Sequence, residues 1–137
     1  DLDMAPTPDA LVECLQASAL DVTLLEGLVA QKRVDKNFHD TEFGWTPLLY
    51  AANSGNIEIC SLLLRAKAEI GATCNNKNTA LHMAARGNHV EAVSFLISKK
   101  SPLNVKNGNG WTPLTWASAR GFAEVVDTLL QAHAQIG

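Results

Sequence analysis

The chain has 137 residues, 47% of them hydrophobic and 18% charged, with a formal net charge of −3. That length suits one compact domain or a few stacked repeats. The negative balance argues against a general nucleic-acid binder, which carries a basic stripe, and no apolar run approaches the roughly 18 residues that a bilayer span needs.

Charge is unevenly placed. Residues 1–40 hold eight acids and three bases, whereas residues 41–137 hold six acids and eight bases. The acidic start reads as a solubilising cap at one end of the fold, with docking of a basic partner there as the sharper alternative. The three cysteines, Cys14, Cys60 and Cys74, are odd in number and lack paired spacing. They read as free thiols, which places the chain in a reducing, intracellular compartment, cytoplasmic or nuclear. No signal peptide is visible and the first residue is not Met, so the chain reads as an excerpt of a longer one.

In chain order, residues 1–8 form a flexible N-terminal segment. A helix starts at Pro8-Asp9-Ala10 and carries Leu11, Val12, Cys14 and Leu15. A second runs from Asp21 to Ala30 with Val22, Leu24, Leu25, Leu28 and Val29 apolar. From residue 41 the chain repeats itself. Thr46-Pro47-Leu48, Thr79-Ala80-Leu81 and Thr112-Pro113-Leu114 recur every 33 residues. In each copy, threonine caps a short first helix, and proline in two of the three takes the position where its missing N–H is harmless. Small residues follow (Ala51, Ala52; Ala84, Ala85; Ala117, Ser118) and let neighbouring helices approach closely. Gly55, Asn88 and Gly121 then stand where the chain reverses, in the left-handed conformation that ends a helix. A second helix follows with apolar residues at helical spacing, as in Ile59, Leu62 and Leu63. Ile70, Leu103 and Ile136 close the three copies. Residues 74–78 and 107–110 are polar turns leading from one copy into the next.

The period, the Thr-Pro-Leu-His-like element (Thr79-Ala80-Leu81-His82 in the middle copy) and the two-helix unit resemble the ankyrin repeat family. The resemblance implies an all-α solenoid of stacked helix-turn-helix units joined by β-hairpin-like loops. Regular repeats would span 41–73, 74–106 and 107–137, preceded by a degenerate capping repeat at 9–40. Since Ile136-Gly137 stops where a further hairpin would begin, more repeats are expected beyond it. The family's function implies a protein–protein interaction module that binds a partner protein or peptide through its concave face and hairpin tips, as a monomeric unit within a longer chain.

Carried onto this sequence, the family's variable surface positions include the second, third, fifth, thirteenth and fourteenth of each repeat, and the tenth borders that surface. The expected partner-binding residues are Phe43, Trp45, Tyr50, Asn76, Asn78, Arg86, Trp111, Trp116 and Arg120. Aromatics and arginine are the residue types that dominate binding hot spots. Two narrower readings compete. A methyl-lysine reader would use Trp111 with Trp116, or Trp45 with Tyr50, as an aromatic cage; the cage acid is replaced by Ala119 or Asn53, and the next aromatic is absent or replaced by Met83. An oligonucleotide binder would stack a base on Trp45 or Trp111 beside Lys77, Arg86, Lys106 and Arg120. No catalytic, cofactor-binding or metal-ligating residue is expected. His39, His82, His89 and His133 lack ligand-like pairing, and neither a P-loop nor a GxSxG or GxGxxG element occurs. In the family, the imidazole at the place of His82 braces adjacent turns.

Overall fold

A computed structural model of the chain describes residues 44–132. The flexible segment at 1–8, the capping repeat at 9–40, Phe43 and everything after residue 132 therefore lie outside the described residues. Six helices occupy that span: α1 (Pro47–Ser54), α2 (Ile57–Arg65), α3 (Ala80–Arg86), α4 (Val90–Ser98), α5 (Pro113–Arg120) and α6 (Ala123–Gln131). No strand occurs among the described residues.

Each first helix starts as its threonine dictates. Thr46, Thr79 and Thr112 are extended, and their hydroxyls accept hydrogen bonds from the N–H groups of Leu49, His82 and Thr115. Such a cap stabilises a helix by about 1 kcal/mol. Pro47 and Pro113 occupy the first turn, where a helix has N–H groups without partners in any case. The reversals also follow the expected positions: Gly55, Asn88 and Gly121 have φ of 72°, 61° and 74°. Asn56 then caps α2 through its side chain, accepting from Ile59 N–H at 3.1 Å. Lys67 and Lys100, 33 residues apart, take left-handed φ values of 73° and 65° just past α2 and α4.

The helices form two rows. First helices pack in the order α1, α3, α5, and second helices in the order α2, α4, α6, with each repeat closed by its own helix pair. Contact is more extensive along the first-helix row. The cause is residue size, since Ala52, Ala84, Ala85 and Ala117 are fully buried and hold nothing bulky between the helices. With the hairpins, this row is the inner side in the architecture that the sequence resembles. Ser118, the counterpart of Ala52 and Ala85, is exposed, because no described repeat packs on it.

Between the rows lies a continuous apolar layer. Leu48, Leu49, Ile59, Leu63, Leu81, Met83, Leu96, Val125 and Leu129 are essentially inaccessible. Each repeat supplies one slice of that layer, and none can bury its slice alone. Cys60 belongs to it, and burial pushes its thiol up to about 12, so it stays protonated and inert.

Truncation of Leu63 should therefore be felt by the whole stack. Leu63→Ala should lower unfolding free energy by about 2–5 kcal/mol, the range for a fully buried leucine, as read from the midpoint of urea denaturation. The exposed Ser94→Ala should leave that midpoint within about 0.5 kcal/mol.

Candidate functional site

The loops between repeats are closed by backbone hydrogen bonds. In the first complete one, Cys74 N–H donates to Asn78 O at 3.2 Å and Lys77 N–H to Cys74 O at 2.8 Å. The second repeats the pattern, with Asn107 N–H donating to Trp111 O at 2.8 Å and Gly110 N–H to Asn107 O at 2.9 Å. Both are tight hairpin turns, and their fourth positions, Lys77 and Gly110, take φ of 63° and 79°. Asn107 reinforces its turn, since its Oδ1 accepts from the N–H groups of Asn109 and Trp111.

Two polar connections fasten one hairpin to the next. Gly108 N–H donates to Asn76 O at 2.8 Å. Asn107 Nδ2 donates to Asn78 Oδ1 at 2.8 Å, and Trp116 Nε1 donates to the same oxygen at 3.1 Å. Asn78 is thus only 4% exposed. It was expected to touch a partner, but its carbonyl is occupied by two donors from the following repeat, and it serves the fold.

His82 makes the third connection, the bracing role expected for it. Its Nδ1 accepts from Thr79 N–H at 3.0 Å and also meets the Thr79 hydroxyl at 2.9 Å. Its Nε2 lies 2.8 Å from Trp111 O and must carry the proton, because a carbonyl only accepts. The ring is therefore neutral. Burial pushes its pKa below the ordinary 6.5, outweighing the bonds to the Trp111 and Val105 carbonyls, which pull the other way. His89 plays a similar part at the reversal, its Nε2 donating to Asn53 O, a carbonyl at the end of α1, at 2.9 Å.

On this frame the aromatics stand as two matched pairs. Trp45 and Tyr50 have ring centroids 4.9 Å apart at 52°. Trp111 and Trp116 repeat the spacing at 4.9 Å, edge to face at 73°. Between them the middle repeat carries Asn78 and Met83, both buried. Trp45, Trp111 and Trp116 are half-buried and keep part of their rings at the surface. Tyr50 was also expected at a partner-facing position, yet at 8% exposure it is chiefly a packing residue under Trp45. Asn76 is exposed at a hairpin tip.

The arginines converge on one ring. The guanidinium carbons of Arg86 and Arg120 lie 5.7 and 5.6 Å from the Trp116 centroid. Arg86 also donates to Asn53 Oδ1 at 3.5 Å, and Arg120 is exposed. Trp116 and Arg120 are one helical turn apart, a spacing that brings side chains together. The approach of Arg86 from the preceding repeat has no such local signature. The structural importance of Asn107 was not foreseen either, although asparagine before Gly108 is a residue that bonds its own turn. Among the described residues, no three His, Cys, Asp or Glu side chains gather as a metal site would require, and no helix is long and apolar enough to cross a membrane.

Comparison with known proteins agrees with this architecture. The family described as Ankyrin repeats (3 copies) matches residues 14–107 and again 63–137. The chain belongs to the ankyrin repeat family. Mouse Inversin is 30% identical over 86 residues, an alignment that covers 61% of this chain and 8% of Inversin. Ankyrin repeats generally mediate protein–protein interaction, and the family is typically a non-enzymatic binding module.

The neutral, buried imidazole gives a signed pH dependence. As pH falls through the ordinary 6.5, the unfolded chain takes up a proton that the folded His82 resists, so stability is full above that value and declines below it. His82 can contribute at most about 1.4 kcal/mol of loss for each pH unit below it. Urea midpoints followed from neutral pH to about 5 should fall more steeply for the wild-type chain than for His82→Gln.

Proposed function

We propose that this chain is a recognition module that holds a partner protein or peptide on the face made by the hairpins and first helices. The observation that carries the reading is the pair of aromatic clusters, Trp45 with Tyr50 and Trp111 with Trp116, held at the same centroid spacing two repeats apart. Partly exposed tryptophans held by a rigid scaffold supply contact area with little loss of side-chain entropy on binding. Trp45, Asn76, Arg86, Trp111, Trp116 and Arg120 are the contact residues of this reading, with Phe43 at the neighbouring hairpin position. Asn78 and Tyr50 act beneath the surface. The free thiols of Cys60 and Cys74 suit a reducing compartment, cytoplasm or nucleus.

The methyl-lysine reading loses support at Trp116. Two guanidinium groups already occupy the surroundings of the ring that a quaternary ammonium would need, and like charges repel.

Affinity capture from a native lysate tests the proposal. The wild-type chain should retain specific proteins that a Trp45→Ala, Trp111→Ala variant, shown to be folded by circular dichroism, loses. Equal capture by both would assign the tryptophans to packing and refute binding on this face.

A further inference from the structure

Acids are one-sided in the described stack, whereas cations are not: Arg65, Lys67, Lys99 and Lys100 lie on or just past the second helices. Among the described residues, the acids are Glu58 on α2, Glu69 in the loop after it, Glu91 on α4, and Glu124 and Asp127 on α6. Four of the five are on second helices, and Glu69 is in the loop that leads to the next hairpin. The first helices and the hairpins of the same span carry no acid, but they hold Lys77, Arg86 and Arg120, with Lys106 next to the second hairpin. Glu42 lies outside the described residues. A chain with a net charge of −3 thus presents a described inner face that is cationic throughout.

The two arginines on that face are placed for anion binding. Trp116 supports both guanidinium groups at nearly equal distance. The ring is itself fixed by its indole N–H on the buried Asn78. A guanidinium braced along an aromatic ring loses less entropy on forming a further bond, and its planar fork matches a carboxylate through two parallel hydrogen bonds. No carboxylate of the described first helices or hairpins is available to neutralise the pair.

We infer that the occupant of this face is an acidic peptide segment, with one or more of its carboxylates seated on Arg86 and Arg120 beside Trp116. The inference rests on the recognition reading above and narrows its partner to a chemical class. A peptide is favoured over a nucleic acid because Arg86 and Arg120 gather at one ring, Trp116, instead of spreading along a groove that could track a phosphate backbone. The four cations also include two lysines at or next to hairpins rather than a continuous backbone track.

The test is fluorescence anisotropy at low salt with a labelled peptide alternating glutamate and serine. Its glutamine–serine isostere and a thymidine oligonucleotide of equal charge serve as comparisons. The full chain should bind the glutamate peptide about tenfold or more tightly than the isostere, and Arg86→Gln, Arg120→Gln should lose about the same factor. Arg65→Gln, Lys99→Gln, which removes two cations from the opposite side, should leave the affinity unchanged. Absence of peptide binding overturns the inference, as do equal losses in the two variants. Equal or tighter binding of the oligonucleotide also overturns it, as does self-association of the chain in place of binding. Capture of a partner that depends on Trp45 and Trp111 but lacks any acidic preference would leave the recognition reading standing and this inference refuted.

Discussion

A fully buried, uncharged imidazole joins the middle repeat to the one after it. Its acceptor nitrogen closes the start of α3 on Thr79, and its donor nitrogen holds the Trp111 carbonyl of the next hairpin. In a dry interior such bonds are strong, and an unpaired polar group is correspondingly expensive. The neighbouring link, from Asn107 and Trp116 to Asn78, works in the same way. The apolar layer between the helix rows supplies cohesion, which is not directional in itself. The polar bridges are directional, and they fix how far each hairpin projects and where Trp111 and Trp116 stand.

Much of this was legible from periodicity. Residues that recur at 33-residue spacing do the same physical work in each copy, so threonine caps, small first-helix residues and left-handed reversals at Gly55, Asn88 and Gly121 could be placed without coordinates. The bracing role of His82 was implied by the family resemblance. What escaped were roles set by the partner rather than by the position. Asn78 occupies a place that looks like surface, yet side chains 29 and 38 residues further on close over its carbonyl. Tyr50 is buried because Trp45 lies against it. Arg86 reaches Trp116 from a different repeat. Counting along a repeat gives a location but not the group that will arrive there from the next one.

The same logic connects the fold to recognition. A stack whose first helices are lined with alanine must bring its inner row close together, and that row then carries the hairpins. The three tryptophans are not sealed in that row, and each keeps part of its ring exposed. Acids gather on the second helices, where Glu58, Glu91 and Glu124 sit in the first turns and suit the positive end of the helix dipole. The described first helices and hairpins carry cations and no acid, while other cations share the second-helix side with the acids. The chemistry of the inner face therefore follows in part from helix stability on the opposite side.

The central claim is that neutral His82 bridges the two repeats as an acceptor at Nδ1 and a donor at Nε2. Nitrogen NMR of its imidazole at neutral pH reads this directly. The account predicts an unprotonated Nδ1 and a protonated Nε2 whose proton exchanges slowly with solvent. A charged ring, or a proton on Nδ1 instead, would contradict it, because neither form can accept from Thr79 while holding Trp111.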